Sequence, residues 1–179
     1  MRLIAIAMAG AVMLAAGPVG AAEWAEYRYE DLGVIKEFPG EPTRTEGEYT
    51  TPVIGTAPTT EFYYEEDNIV FEMTVVELQD KVGISASILG ECVANAEAEG
   101  TPLANMTNRV EGGEDAIYGR LVSVEVANNG GRRQTACLFN ATGRLYIIRA
   151  TVLPEHGQPN SSMVIRFTNS LSFNFERYE

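Results

Sequence analysis

The stretch from Ala116 to Leu153 constrains the fold most, because it has the pattern of three consecutive antiparallel strands separated by two turns. Apolar residues alternate along the first strand, and Asn128-Asn129-Gly130-Gly131 follows with residues that adopt positive φ at low cost. Arg132 to Asn140 forms the return strand, Ala141-Thr142-Gly143 the second turn, and Arg144 to Leu153 the third strand. The sequence therefore predicts a meander that the rest of the chain covers or extends.

Several β-prone runs precede this meander. We expect two short strands between Glu23 and Phe38, a polar loop over Glu41 to Gly47, strands over Glu48 to Ile54 and Thr59 to Tyr64 with a reversal at Gly55 to Pro58, a turn at Glu65 to Asn68, a strand over Ile69 to Leu78, and a short extended segment over Leu103 to Arg109. Hardly any helix separates these strands, which favours antiparallel pairing.

Between Ile84 and Ala96 the hydrophobic period changes from two to that of a helix, with one apolar stripe and one polar face. Ser85 or Ser87 is expected to cap the start of this helix. Gly100 is expected to take the left-handed capping conformation, and Pro102 to prevent continuation.

A second, shorter apolar stripe from Met163 to Leu171 predicts another helix, and alternation at Leu171, Phe173 and Phe175 predicts a terminal strand. This order of elements predicts an α+β fold, a mainly antiparallel sheet of six to eight strands packed by two helices. Residues 23–179 are enough for one domain with its own hydrophobic core, and too few for two domains of typical size, so we expect a single domain.

Several short motifs give the chain a likeness to a known family. They are Trp24, the run Phe38-Pro39-Gly40-Glu41-Pro42, the single mid-chain helix, the glycine-containing segment before the meander, and the ending Ser170-Leu171-Ser172-Phe173. With these motifs the chain resembles the small exported bacterial proteins of the PsbP/DcrB-like superfamily. The resemblance implies an α/β/α sandwich around an antiparallel sheet, and a binding or accessory role without a shared catalytic set.

Residues 1–22 have the pattern of a cleaved signal peptide. Arg2 provides the positive charge, Leu3 to Ala16 is a small apolar run, and Gly17-Pro18 breaks it before cleavage after Ala21 or Ala22. The run is shorter than the roughly 20 residues of a membrane-spanning helix. We therefore expect a periplasmic or secreted protein without stable membrane insertion once the signal is removed.

Charge limits the partners of the chain. Residues 23–179 hold 12 basic and 25 acidic residues, which makes nucleic acid a poor partner because its phosphates need clustered Lys and Arg. The acids concentrate in residues 23–100, with 18 acidic and 4 basic residues. This half is predicted to be either a solvated acidic surface or a face that attracts cations.

Two cysteines remain after the signal peptide, Cys92 on the apolar stripe of the helix and Cys137 in the middle strand of the meander. Helix stripes pack on sheet faces, so we expect a structural disulfide between them in an oxidising compartment. The alternative is two separately buried thiols. A redox-active pair is disfavoured, because such pairs use a close Cys-x-x-Cys spacing.

No set of residues in the sequence predicts a reaction centre, a metal site or a cofactor. His156 is the only histidine, which is too few for the usual catalytic zinc sites, and it is predicted to lie on the surface. Glu111-Gly112-Gly113-Glu114-Asp115 is predicted to be a solvated turn. A hydrolase that uses two carboxylates needs a converging pair, and no local feature selects one.

Arginines cluster in and around the meander. Those predicted to contact a ligand are Arg120, Arg132, Arg133, Arg144 and Arg149. They are predicted either to balance the acidic half of the chain or to form a patch that binds a carboxylate or phosphate. The leading functional prediction is thus an exported, non-catalytic accessory or binding domain whose partner is another envelope protein or a small anionic ligand. The alternatives are a cell-envelope hydrolase using carboxylates, and a carrier of a small molecule or metal.

Overall fold

The computed structural model describes residues 23–112, 115–126, 130–154 and 162–173, and of residues 111, 112, 115 and 116 it describes the backbone alone. The predicted signal peptide, the turn residues Asn128 and Asn129, His156, and Phe175 of the predicted terminal strand lie outside these residues. Within them, no helix has the length and apolarity that crossing a bilayer requires.

Nine strands and two α-helices make up the described chain. They are β1 (Ala25–Tyr29), β2 (Val34–Phe38), β3 (Thr43–Thr51), β4 (Gly55–Glu66), β5 (Ile69–Glu77), α1 (Ser85–Ala98), β6 (Gly100–Gly112), β7 (Asp115–Val126), β8 (Arg132–Phe139), β9 (Arg144–Val152) and α2 (Ser162–Asn169). Short 3-10 turns span Glu30–Leu32 and Gln79–Ile84. The α+β class and both helices agree with the sequence prediction.

Seven strands form one antiparallel sheet in the order β3-β4-β5-β9-β8-β7-β6, and β1 pairs with β2 in a separate hairpin. The predicted meander is confirmed as β7, β8 and β9, with Val122 opposite Thr135 and Cys137 opposite Ile147. After β5 the chain crosses through α1 to the far edge, where β6 begins.

Alternation along the strands gives the sheet two faces, each with its own cover. On one face, here called the α1 face, Val76, Cys137 and Ile147 pack with Ile88 and Cys92 of α1. The opposite face, here called the α2 face, is covered by α2 together with the β1–β2 hairpin. The sheet is therefore the middle of three layers.

Aromatic side chains form the centre of the α2-face core. Phe167 of α2 contacts Phe71 of β5 and Phe38 of the hairpin, with ring centroids 5.0 and 5.1 Å apart and the planes steeply inclined. Tyr146 of β9 is fully buried, and its hydroxyl donates to the Leu32 carbonyl at 3.1 Å. These contacts fix the hairpin and α2 against the same strands.

The boundaries of α1 differ from the prediction. The helix begins at Ser85, directly after the 3-10 turn, and no side chain caps its N-terminus. Gly100 does not have a left-handed φ, and it starts β6 instead. A Cβ on Gly100 would lie 2.0 Å from the carbonyl oxygen of Glu125 on β7, so close backbone approach explains this glycine. Pro102 lies inside edge strand β6, next to a bulge.

Three other predicted boundaries were wrong. The polar segment from Glu41 to Gly47 is largely strand, because β3 begins at Thr43 at the exposed edge of the sheet. The reversal before β4 lies at residues 52–54, and Pro58 lies inside β4 opposite Glu48. β6 extends well beyond the predicted short segment. In the described part of the predicted terminal strand, Ser172 alone forms a β-bridge, and its partner is Ile35.

Candidate functional site

A groove of about 450 Å³ opens on the α2 face, between α2 and strands β6 to β8. It exists because α2 packs on β9 and β8 and stops short of β7 and β6. The side chains that define its floor and wall are Leu103, Met106, Leu121, Ser123, Arg132, Gln134 and Ile165. Its volume falls within the range of roughly 300 to 1,000 Å³ that is typical of small-ligand sites.

The groove is apolar at one end. Met106 on β6 and Leu121 on β7 are cross-strand partners on its floor, and Ile165 of α2 forms its wall. Met106 is 52% exposed and Ile165 46%, whereas most large apolar side chains of the sheet are buried. Leu121 is itself buried at 8% exposure, so the apolar surface open to a ligand comes mainly from Leu103, Met106 and Ile165.

The opposite end of the groove is polar. The β7–β8 register places Ser123 opposite Gln134 in one row, and Glu125 opposite Arg132 in the next. Arg132 is half-buried, and no ion pair or hydrogen bond joins its side chain to another described residue. Glu125 is exposed and forms no ion pair with it. The arginine thus offers an unpaired guanidinium to the groove.

The other predicted arginines have partners. Arg133 donates to Glu99 Oε2 at 2.6 Å and to Thr151 Oγ1 at 2.8 Å, and Arg149 donates to Glu99 Oε1 at 3.0 Å. Glu99 follows the last residue of α1, so these two ion pairs attach the end of the helix to β8 and β9. The structural role of Arg133 and Arg149 is therefore explained by their ion pairs with Glu99.

Arg120 and Arg144 are also engaged. Arg120 donates to the side-chain oxygen of Asn105 at 2.5 and 2.8 Å across the β6–β7 pair. Arg144 donates to Glu77 at 2.9 Å and to the Asp31 carbonyl at 3.0 Å, which connects the sheet to the hairpin.

The structure does not gather the five predicted arginines into one patch. By strand alternation Arg120, Arg133 and Arg149 lie on the α1 face, whereas Arg132 and Arg144 lie on the α2 face. A ligand-binding role for the set stays a prediction. Arg132 is the member whose surroundings support that role.

Cys92 and Cys137 are joined in a disulfide with their Cα atoms 6.2 Å apart. The bond connects α1 to the middle strand of the meander, as the packing of the apolar stripe predicted. Both residues are buried on the α1 face, away from the groove. The disulfide therefore supports the scaffold.

Lys36 of β2 fixes the helix that forms the groove wall. Its side chain is fully buried, and its Nζ donates to the Phe167 carbonyl and, at 2.6 Å, to Ser170 Oγ at the end of α2. The ammonium lies 3.9 Å from the centroid of the Phe167 ring. Burial lowers the pKa of Lys36 well below its ordinary value of 10.5, and Glu37 opposes this shift.

Acidic side chains do not converge into a described site. Among the residues whose side chains are described, no group of three or more His, Cys, Asp or Glu could hold a metal ion. Cross-strand register and alternation place Glu61 and Glu72 on the α1 face. Glu61 is exposed, whereas Glu72 is half-buried and lies 3.9 Å from Nη1 of Arg149. The predicted acidic turn Glu111-Gly112-Gly113-Glu114-Asp115 lies outside the residues whose side chains are described.

Sequence reasoning included Arg132 but missed the other groove residues and Lys36. Leu121, Ser123 and Gln134 do have the alternation of a sheet face, which was a usable signal. Nothing in the pattern indicated that α2 would leave this face open. Lys36, between the apolar residues of β2, was a recognisable lysine in a core position.

Neither a protein-family model nor a curated protein matches this chain.

Proposed function

We propose that this chain is an exported, non-catalytic binding domain whose ligand occupies the groove beside α2. The observation that carries this proposal is the unpaired Arg132 at one end of a groove whose other end exposes the apolar side chains Met106 and Ile165. Charged groups at such positions are usually compensated within the protein. An unpaired guanidinium next to exposed apolar surface suits recognition of a ligand that supplies an anionic partner.

Export is supported by the signal-peptide pattern of residues 1–22 and by the disulfide between Cys92 and Cys137, which persists in oxidising compartments. Membership of the PsbP/DcrB-like superfamily remains part of the proposal. The order of layers, with α1 on one face and α2 with the hairpin on the other, is consistent with the sandwich that this resemblance implies.

The alternatives make different demands on the same groove. A hydrolase that uses carboxylates needs two acids facing each other across a cleft, and the described residues that line the groove include neither Asp nor Glu. A small-molecule carrier would use the groove as a binding domain does, so it remains the closest alternative. An envelope protein as partner would cover a larger surface around it.

Binding in the groove can be tested by nuclear magnetic resonance. The mature chain, isotopically labelled, would be titrated with a library of small polar, anionic and apolar compounds while backbone amide shifts are followed. We expect the compounds that bind to move the amides of Ser123, Gln134 and Ile165. The variant Ser123→Phe should abolish these shifts, because the new ring fills the middle of the floor.

A matched control is Thr107→Phe, which places the same ring on the α1 face of neighbouring strand β6. This variant should bind the compounds as the unmodified chain does. Compounds that shift only amides elsewhere, or a library that leaves the groove amides unmoved, would contradict the proposed function.

A further inference from the structure

The charge inside the groove limits the ligand. Arg132 contributes one unpaired positive charge, and the floor side chains of the next row, Ser123 and Gln134, are neutral. A carboxylate matches a single guanidinium in charge and in its two-oxygen geometry. Ser123 and Gln134 can provide hydrogen bonds to the same head group.

A phosphate monoester fits less well. It carries about −1.5 to −2 charges at neutral pH, which exceeds the one charge that Arg132 supplies. The carboxylate of Glu125, directly across β7 and β8 from Arg132, would repel the excess. The whole sequence also has a net charge of −12, so the surrounding field disfavours a dianion.

The rest of the groove favours an apolar extension of the ligand. On β8, the row of Arg132 and the row of Ala136 are four residues apart, about 13 Å at a rise of about 3.3 Å per residue. Ala136 is opposite Leu121, and Leu121 is opposite Met106. An aliphatic chain of medium length that starts at Arg132 would reach this apolar row.

We propose that the groove binds an amphipathic monocarboxylate, with the carboxylate at Arg132 and the apolar part along Leu121 towards Met106. This inference rests on the proposed function and specifies its ligand class. The contrast between the two ends of one groove is what distinguishes such a ligand from a purely apolar or a purely ionic one.

The probes are four eight-carbon compounds that differ in the head group: sodium octanoate, octan-1-ol, octylammonium and octyl phosphate. Dissociation constants would be measured at pH 8 from amide shifts of the mature chain. We expect octanoate to bind about tenfold more tightly than octanol, because a charge-assisted hydrogen bond adds to the shared apolar contact. Octyl phosphate should bind more weakly than octanoate, and octylammonium least.

Three variants connect this selectivity to named residues. Arg132→Gln should weaken octanoate binding about tenfold and leave octanol unchanged, since only the charge is lost. Glu125→Gln should tighten octanoate binding, because it removes the competing carboxylate. The control Arg120→Gln changes an arginine on the opposite face and should leave both constants as they were.

The outcomes separate this inference from the proposed function. Octanol that binds the groove as tightly as octanoate, or octanoate that is indifferent to both Arg132→Gln and Glu125→Gln, would overturn the ligand class while leaving the groove as a binding site. Tighter binding of octyl phosphate would also overturn it. If none of the four probes nor any library compound shifts the groove amides, the proposed function fails as well.

Discussion

Replacing Lys36 by Met tests how the groove wall is held. Lys36 is fully buried and donates to the Phe167 carbonyl and to Ser170 Oγ, so it caps the C-terminal end of α2 with two hydrogen bonds. Methionine keeps an unbranched apolar stem and removes the ammonium. The change deletes a helix-end contact, and it also deletes the cost of burying a charge.

The two effects can be distinguished because only the cost of burying the charge makes the free energy of unfolding depend on pH. Burial lowers the pKa of Lys36 in the folded chain well below 10.5, whereas in the unfolded chain the pKa stays near that value. Between the two pKa values the unfolded chain binds more protons, so the free energy of unfolding rises with pH. One proton gives at most about 1.4 kcal/mol per pH unit. The Lys36→Met variant lacks this slope.

Urea denaturation of both proteins from about pH 6 to about pH 9.5 measures the effect. The difference in the free energy of unfolding, original chain minus variant, should increase with pH across the part of this range that lies above the folded pKa. Lys81→Met, which removes the other lysine of the sequence from a 3-10 turn, controls for the change in net charge. Parallel curves for the original chain and Lys36→Met would refute the reasoning, because Lys36 would then have the same pKa folded and unfolded.

Two further predictions concern the scaffold. Reducing the disulfide between Cys92 and Cys137 should lower the free energy of unfolding by about 4 kcal/mol on the chain-entropy model. The melting temperature should therefore fall when reductant is added, and an unchanged melting temperature would contradict this prediction. Gly90→Ala, at an open position of α1, should stabilise the chain by about 1 kcal/mol. Gly100→Ala should destabilise it, because the added Cβ would overlap the Glu125 carbonyl oxygen. If thermal melts show melting temperatures shifted in the same direction by both variants, the role given to Gly100 is wrong.

The elements with a clear period were predictable from the sequence. Alternation in β9 put Ile147 and Ile148 on opposite faces, and the structure buries each against a different cover, α1 or α2. The apolar stripe of α1 likewise placed Cys92 towards the meander, so the disulfide followed from local patterns. Period alone sufficed here because each pattern reflects a face that is buried.

Edges were less predictable, because an exposed strand has no reason to alternate. In β3, Arg44 and Thr45 are both exposed although they point to opposite faces, and the segment therefore had the composition of a loop. Gly100 had the composition of a helix cap for a different reason. Its true constraint, the backbone of Glu125, is 25 residues away in sequence.

The partners of the arginines depended on contacts at long range. Glu99 precedes Arg133 by 34 residues, and Glu77 precedes Arg144 by 67, so sequence proximity could not show which guanidinium would be compensated. The sequence predicted only that the arginines of the meander either balance the acidic half of the chain or contact a ligand. Only the placement of α1, α2 and the hairpin distinguishes Arg132 from its neighbours.

The groove follows from the size of the layers. A sheet of seven strands is roughly 29 Å wide at about 4.8 Å per strand, and α2, with eight residues, is about 12 Å long. The hairpin packs over Phe62 and Phe71 of β4 and β5, and α2 over β9 and β8, so the cover thins towards the β6 edge, where Met106 is 52% exposed although Leu121 of β7 is buried. A folded chain that needed only stability would place polar residues there, as β3 does at the opposite edge. Leu121 and Met106 instead extend the apolar row up to that edge, and the proposed ligand would cover Met106, the exposed end of this row.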